Sequence, residues 1–559
     1  MRNPVACLAL VALLALLALS GRVGAETRAE VRDRVFLSAQ TAAASAAGQA
    51  LAQAAVRIAA GTDELAALLR QRQDAADALQ EAVNLLGVLS IGTGSRAESE
   101  VERLRGVIEA RRGDLERFDA RLARDFPEFR ELTNPSPMSL PEVQAALAPG
   151  EALILTLTDD TFFYIWAVSK TEAAWNRVEI DAAQIEGRVK VLRGALTTEV
   201  DNRGGIALGG KTLRRRATPF NRAASWQLWS QLFAPVAPVF AGADHLMLVL
   251  DGPLTSLPPA VLVTAPPEGD DSDPAALRAT PWLVRSHALT TLPSVSALGV
   301  LRRAKAPLPR DPGASPFVGF GDPLLGYRLD QVAAAGDSEG AVFTRGAYED
   351  VARVADLTPL PNTAAELRAL AQAMAAPGGS VHLGAAATEA AVKAADLSQA
   401  DVIAFATHGL LADGLPGLSE PALVFTPPAA PSELDDALLT ASEAAQLKLS
   451  ANLVILSACN TAGSDGTPGA EGLSGLARAF IFAGARAILV SHWPVDDYAA
   501  RVLTTGMLGR MYDAEHPAPR AEALRQAMLA LLDDRSEDRF AQPRIWAPFV
   551  VVGEGGAGF

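Results

Sequence analysis

The pattern of hydrophobic and polar positions divides the chain into an early helical part and a later mixed part. From Glu26 to about Leu132, apolar and charged residues recur at helical spacing, as in TDELAALLRQRQDAADALQEAVNLL. The pattern predicts several long helices, with a break at SIGTGS. It contains no convincing ~34-residue repeat, so a helical hairpin or bundle is the simpler interpretation and a degenerate repeat array is the alternative.

The pattern changes after NPSPMSLPEV. There EALILTLTDDTFFYIWAVS alternates apolar and polar residues on both sides of an Asp-Asp turn, which predicts a β-hairpin. Short apolar runs then interleave with helical stretches such as NTAAELRALAQAMA and GLSGLARAFIFAG. This alternation predicts an α/β fold with a mostly parallel sheet covered by helices. The predicted strands are HLMLVLDG, ALTTLPS, PFVGFGDP, DVIAFATHG, NLVILSACN and ARAILVSHWP.

Composition excludes some classes of protein. The chain has 559 residues, 49% of them hydrophobic, and a mean hydropathy of +0.17, so it is not a disordered protein and is longer than one ordinary domain. Its formal charge of -15 and pI near 5.0 leave no basic field, and Lys and Arg are scattered. Nucleic acid is therefore not an expected partner.

The first 25 residues have the pattern of a signal peptide. Arg2 is followed by an uncharged run, Val5 to Leu19, and Val23-Gly24-Ala25 is a triplet that a signal peptidase accepts. We expect cleavage after Ala25 and an exported protein, periplasmic or extracellular, with no membrane span after cleavage. Because the run is shorter than the ~20 residues of a membrane helix, an uncleaved anchor is the lesser alternative.

The mature chain would keep one cysteine, because Cys7 lies in the leader. That residue, Cys459, ends the run NLVILSAC, and His408 ends DVIAFATH, 459 − 408 = 51 positions earlier. If both strands belong to one parallel sheet, the two side chains emerge at the same edge, as a thiol and an imidazole acting together require. The backbone N–H groups of Gly409 and Cys459 could form an oxyanion hole.

The sequence gives little support for a metal site, a serine hydrolase or a phosphate-binding loop. The six histidines are dispersed, and neither HExxH nor a CxxC pair occurs, so no metal ligands are assigned. The chain also lacks the GxSxG of a serine hydrolase and the GK[ST] of a P-loop. No cofactor is expected.

Several blocks of the sequence carry a resemblance to a known family. They are FATHG, LSACNTA, EGLSGLARAFIFAGARAILVSHWPVDD and WAPFVVVG, preceded by LVLDGPLTSLPPAVL, FGDP and LTPLPNTAAELRALA. Together they resemble the CHAT family, whose members are caspase-like peptidases often attached to tetratricopeptide repeats. The resemblance implies a caspase-like fold and a cysteine endopeptidase in which His408 and Cys459 form the dyad and the acyl-enzyme is a thioester.

The resemblance also suggests the substrate cleft. SHWPVDD would form one wall, with Ser491 and with Trp493 as a platform, while His492 is expected to be an exposed loop residue. Metacaspase-like relatives carry an acidic selector two positions before the cysteine, where this chain has Ser457. Three acids could receive a basic substrate side chain instead, or could simply be solvated. They are Asp465, Asp496 and Asp497.

The predicted organisation has four parts: a signal peptide (1–25), a helical region (26–136), an α+β lead-in with the hairpin (137–225) and a CHAT peptidase domain (226–556). The expected partner is a protein or peptide substrate, and the N-terminal helices could bind a regulatory protein. The alternative function is a catalytically silent, caspase-like scaffold or binding module in the cell envelope.

Overall fold

A computed structural model describes most of the chain after residue 137 and two earlier helices. The described ranges are 28–42, 95–125, 137–197, 218–303, 315–325, 357–360, 362–410, 420–428, 435–457 and 475–556, with the single residues Ala75, Leu79, Val354 and Leu418. Cys459 and Asp465 therefore lie outside the described residues.

Eleven strands form one mixed sheet in the order β3-β2-β1-β4-β5-β14-β13-β12-β8-β6-β7. Three short strands, in the order β11-β10-β9, form a second sheet that is antiparallel. The strands are β1 (Glu151–Thr158), β2 (Phe162–Ser169), β3 (Ala173–Glu179), β4 (His245–Val249), β5 (Ala288–Thr291), β6 (Phe317–Gly321), β7 (Val381–Leu383), β8 (Val402–Ala406), β9 (Gly409–Leu410), β10 (Ala422–Val424), β11 (Leu438–Thr440), β12 (Leu453–Leu456), β13 (Ala487–Ser491) and β14 (Phe549–Gly553).

Nine of the eleven strands of the large sheet form two parallel blocks that run in opposite directions, and β2 is antiparallel to its neighbours β1 and β3. Strands β1, β4, β5 and β14 are parallel to one another, as are β13, β12, β8, β6 and β7. The antiparallel pair β13–β14 joins the two blocks. The predicted mostly parallel sheet is confirmed, but the carboxyl ends of its strands lie at two opposite edges.

Helices cover both faces of the sheet, which explains why its inner strands are apolar without interruption. On β12, Leu453 and Ile455 pack into one core while Val454 and Leu456 pack into the other. Helices α4, α5, α9, α13 and α14 lie on the first side and α1, α3, α8, α10, α11 and α12 on the second. The helices are α1 (Arg28–Ala42), α2 (Ser95–Asp125), α3 (Leu140–Ala146), α4 (Ala182–Thr197), α5 (Arg222–Leu232), α6 (Pro274–Ala279), α7 (Leu283–Ser286), α8 (Val295–Arg303), α9 (Thr363–Ala373), α10 (Glu389–Ala394), α11 (Ala441–Gln446), α12 (Gly475–Ala483), α13 (Asp497–Met511), α14 (Arg520–Asp533) and α15 (Pro543–Trp546).

The predicted hairpin is the pair β1–β2, and its turn follows from the Asp-Asp sequence. The side chain of Asp159 accepts hydrogen bonds from the backbone N–H groups of Thr161 and Phe162 at 2.8 and 2.6 Å. An Asp side chain that satisfies the N–H groups two and three residues ahead stabilises a tight turn. Strand β1 also pairs with β4, so the hairpin belongs to the same sheet as the later strands.

The described N-terminal segments are helical, as predicted. Helix α1 packs on the sheet through Phe36, whose ring lies 6.2 Å from that of Trp166, and Gln40 exchanges hydrogen bonds with the backbone of Met138. Helix α2 has 31 residues and a largely polar surface. Across the described ranges, no helix combines the length and apolar character needed to cross a bilayer.

A truncation tests whether the strands from β4 onward need residues 137–221 to fold. A chain that begins at Pro137 should retain the whole sheet, whereas one that begins at Arg222 loses β1 to β3, exposes the edge of β4 and removes the ion pair Glu151–Arg302. We expect the shorter chain to aggregate or to lose its cooperative thermal transition, monitored by circular dichroism. Equal melting temperatures for the two chains would show that the later strands form an independent unit.

Candidate active site

The carboxyl ends of three neighbouring parallel strands meet at one edge of the sheet. Leu456 of β12 lies beside Phe405 of β8, and Ile455 lies beside Leu489 of β13. The pairing of β12 with β8 continues to Ser457, whose N–H donates to Phe405 O at 2.9 Å. His408, two residues beyond β8, and the residues that follow β12 and β13 therefore share this edge.

The imidazole of His408 is oriented by a backbone carbonyl. Its Nε2 lies 2.8 Å from the oxygen of Thr358. A carbonyl oxygen only accepts hydrogen bonds, so Nε2 carries the proton and donates. In the neutral ring Nδ1 is then the basic nitrogen, the one able to accept and return a proton.

Gly409 presents its N–H on the outer side of the small sheet. Val424 N donates to His408 O at 3.0 Å, so these two residues form a hydrogen-bonded pair of the β9–β10 ladder. Such pairs alternate with non-bonded ones, and Gly409 beside Leu423 is the next pair. The Gly409 N–H points away from β10, on the outer strand of the three described, where it can serve as a donor.

Ser457 is bonded to a buried carboxylate. Its hydroxyl donates to Glu366 Oε2 at 3.1 Å, and the hydroxyl of Thr504 lies 3.2 Å from Glu366 Oε1. Glu366 belongs to α9 and Thr504 to α13, and they are 3% and 0% exposed. One carboxylate thus connects the end of β12 to two helices on the same side of the sheet.

The two acids of SHWPVDD that the structure describes hold α13 in place. Asp496 is its N-cap, accepting from Ala499 N at 3.1 Å, and also pairs with Arg539 at 2.9 Å. Asp497 accepts from Asn362 Nδ2 at 2.6 Å. A basic substrate side chain would have to compete with these contacts for either carboxylate.

The last residue of β13 and the two residues that follow it are buried. Ser491, His492 and Trp493 are 0%, 4% and 1% exposed, and the Trp493 indole donates to Arg544 O at 3.0 Å. The expectation that His492 is an exposed loop residue is therefore wrong, and neither Ser491 nor Trp493 forms an open cleft wall here. Burial, with a smaller contribution from the charge of Arg193, lowers the pKa of His492 to about 3, so its ring is neutral.

A comparison with a family model establishes the family. A model of the CHAT domain matches residues 222–554, which is more than half of the chain. The chain belongs to the CHAT domain family.

Human tetratricopeptide repeat protein 28 is 26% identical over 384 residues, which cover 62% of this chain and 14% of that protein. The mouse protein of the same name is 33% identical over 120 residues, or 22% of this chain and 5% of that protein, so the chain spans a small part of both relatives.

Two solved structures match this chain at lower sequence identity than these relatives do. The Arg-specific cysteine proteinase gingipain R matches with a TM-score of 0.34 and 11% identity, covering 61% of this chain and 69% of its own. The Saccharomyces cerevisiae separase–securin complex matches with a TM-score of 0.38 and 10% identity, covering 98% and 42%. Likenesses below a TM-score of 0.5 support no further conclusion. The CHAT match confirms the predicted family, and the observed sheet confirms the predicted α/β class with a mostly parallel sheet flanked by helices.

One segment of the CHAT domain links all three strand ends. Residues 357–366 contribute Thr358 to His408, Asn362 to Asp497 and Glu366 to Ser457. Sequence reasoning assigned no site residue here. The available signal was Glu366 itself, an acid that precedes the core residue Leu367 on an otherwise apolar helix face. Within the described ranges, no group of three or more His, Cys, Asp or Glu side chains could hold a metal ion.

Replacement of Glu366 tests the link between α9 and β12. Glu366→Ala removes the acceptor of two hydroxyl groups, so we expect the free energy of unfolding to fall by about 2–4 kcal/mol in urea denaturation. Ser457→Ala and Thr504→Ala each remove one donor and should cost less. Gln372→Ala, at an exposed position of the same helix, is the matched control. A Glu366→Ala protein as stable as this control would exclude the link.

Proposed function

We propose that the chain is a cysteine endopeptidase in which Cys459 is the nucleophile and His408 the general base and acid. The observation that carries the proposal is the orientation of His408, held through Nε2 at the carboxyl end of β8 beside the end of β12. Because Thr358 accepts from Nε2, the nitrogen left for proton transfer is Nδ1.

The pairing of β8 and β12 supports the choice of Cys459. Leu456 pairs with Phe405 at an offset of 456 − 405 = 51, which equals the separation of Cys459 from His408. Two residues of chain span at most about 7 Å, so Cys459 cannot lie far from Ser457 at this edge. The proposed nucleophile and base thus follow two adjacent strands in the sequence, each three residues after a member of the pair Leu456–Phe405.

The proposed reaction has two steps. Nδ1 of His408 takes the thiol proton, the Cys459 sulfur attacks the peptide carbonyl, and the N–H groups of Gly409 and Cys459 stabilise the oxyanion. The C–N bond then breaks as the imidazolium returns the proton to the leaving amine, which gives a thioester. Water, deprotonated by the same nitrogen, hydrolyses the thioester and regenerates the thiol. The Thr358 carbonyl stabilises the imidazolium through Nε2–H.

A peptide-library digest tests this mechanism. We expect cleavage by the unmodified chain, a loss of at least ~10³-fold for Cys459→Ala, and a similarly large loss for His408→Ala. An electrophilic peptide should label only a protein that retains Cys459. Circular dichroism confirms that each variant is folded. Cleavage that survives both substitutions would exclude the dyad.

The second candidate function is a binding module that uses the same fold without catalysis. It is favoured by the relatives, which are named for tetratricopeptide repeats, and by the N-terminal helices, which could bind a regulatory protein. The digest separates the two functions. A protein that neither cleaves peptides nor is labelled, but that binds a protein tightly through the CHAT domain, is a scaffold.

Export is proposed from the first 25 residues, and the site of action would then be periplasmic or extracellular. The four-part organisation proposed from the sequence begins with this leader. Expression of the full chain in a host with a secretory pathway, followed by mass spectrometry of the product, should give a protein that starts at Glu26. A product that retains Arg2 to Ala25 in a membrane fraction would indicate an anchor instead.

A further inference from the structure

The first turn of α9 packs directly against the ends of β6 and β8. The hydroxyl of Thr363 accepts a hydrogen bond from the backbone N–H of Asp322, the residue after β6, at 3.0 Å. At Gly321, the last residue of β6, an added Cβ would lie 2.5 Å from Ala406 O and 2.7 Å from the Leu367 side chain. This close packing leaves no space between the helix and these strand ends, so α9 is held at a set distance from the sheet edge.

Glu366, about one turn further along α9, connects the helix to the end of β12. Its Oε2 accepts from the Ser457 hydroxyl at 3.1 Å, and the backbone N–H of Ser457 donates to Phe405 O at 2.9 Å. On the other side of β12, the described pairs with β13 end at Ile455. Ser457 is therefore held by β8 through its backbone and by α9 through its side chain, two residues before Cys459.

The second oxygen of the same carboxylate faces a different element. Oε1 of Glu366 lies 3.2 Å from the Thr504 hydroxyl, which also lies 2.8 Å from Ala500 O within α13. Loss of the Thr504 hydroxyl would alter the contact between two helices and leave the bond to Ser457 in place. The two contacts of Glu366 can thus be removed separately, which distinguishes support of the strand end from general stability.

The position of this strand end matters for a nucleophile that follows it. Attack on a carbonyl requires the reacting atoms about 3–3.5 Å apart and aligned, and a misplacement of about 1 Å can cost about 10²-fold in rate. Two residues of chain span at most about 7 Å, so a shift of Ser457 also shifts the chain that leads to Cys459. The imidazole of His408 is held separately, by the carbonyl of Thr358. A displaced strand end would therefore misalign the thiol with its base.

We propose that Glu366 is a positioning residue of the proposed peptidase. Through its hydrogen bond to Ser457 it holds the end of β12 where Cys459 can attack, and it acts through Ser457 and not by contact with the substrate. The inference rests on the proposed function and adds a residue to it. Loss of the bond then slows the chemical step and leaves the binding of the peptide unchanged.

The test measures alkylation of the thiol by a bound and by an unbound electrophile. Every protein carries Cys7→Ser, so that Cys459 is the only thiol. The bound electrophile is the chloromethyl ketone of the peptide that the chain cleaves fastest, and it yields a maximal rate constant and a half-saturating concentration. The unbound electrophile is iodoacetamide, whose rate reports the exposure and ionisation of the thiol. A positioning role predicts a change in the maximal rate constant only.

Removal of either partner of the bond should have the same effect. We expect Glu366→Ala and Ser457→Ala each to lower the maximal rate constant about tenfold or more, with the half-saturating concentration and the iodoacetamide rate within about twofold of their original values. The double variant should be no slower than the slower single variant, because both substitutions remove one and the same bond.

Conservative variants and a matched control assign the effect to the hydrogen bond. Glu366→Gln keeps an acceptor for Ser457, and Ser457→Thr keeps the hydroxyl, so both should retain most of the rate. Thr504→Val is the matched control, because it removes the other contact of Glu366 and should leave the maximal rate constant unchanged. Melting temperatures check that all variants are folded.

The outcomes distinguish this role from the peptidase function. An unchanged maximal rate constant in Ser457→Ala, an equal loss in Thr504→Val, a Glu366→Gln protein as slow as Glu366→Ala, or a parallel loss of the iodoacetamide rate would each overturn the positioning role and leave the peptidase intact. A chain that cleaves no peptide would overturn both. If Glu366→Ala unfolds, Ser457→Ala decides the question, because it removes the same bond at the cost of a single hydroxyl group.

Discussion

The buried carboxylate of Glu366 sets the arrangement of the candidate site. A carboxylate that is 3% exposed must receive hydrogen bonds, and Ser457 supplies one of them. The Thr504 hydroxyl lies 3.2 Å from the other oxygen of Glu366 and 2.8 Å from Ala500 O, so its single proton is shared between these two acceptors. Movement of α9 relative to the end of β12 would break the bond to Ser457. The same segment begins with Thr358 and therefore holds the imidazole of His408 as well. Helix α9 thus contacts the strand end that precedes the proposed nucleophile, and the segment before this helix contacts the imidazole of the proposed base.

The reversal of strand direction at β13–β14 decides which loops can contribute to that site. Strands β8, β12 and β13 end at one edge, whereas β4, β5 and β14 end at the other. The LDGP turn at residues 250–253 follows β4 and therefore lies at the edge of the sheet opposite to His408. Both nevertheless follow buried strands that have parallel neighbours. Helix α4, which precedes β4, still contacts the edge at which β13 ends. It covers one face of the sheet, and its Arg193 lies 3.5 Å from the backbone oxygen of His492.

Local pattern predicted the parts of this structure that depend on neighbouring residues. The hairpin, the apolar strands and the placement of His408 at a strand end follow from periodicity and from the rule that parallel strands end together. The burial of His492 did not, because a histidine after a strand is covered only if distant elements pack there, as those carrying Arg193 and Arg544 do. The roles of Thr358 and Glu366 likewise depend on contacts 50 and 91 residues away in sequence. The direction of β14 was not predicted either, because it depends on pairing with β13, and α13, α14 and α15 separate these two strands in the sequence.

The orientation of His408 is the physical basis of the proposal that the chain is a peptidase and not a silent scaffold. A scaffold needs a stable surface, and a half-exposed imidazole could meet that need in any rotamer or tautomer. Here a carbonyl oxygen selects the Nε2–H tautomer, which makes Nδ1 the basic nitrogen, as the proposed proton transfer requires. The oriented imidazole at the end of β8, beside the end of β12, is therefore the feature on which the proposed reaction depends.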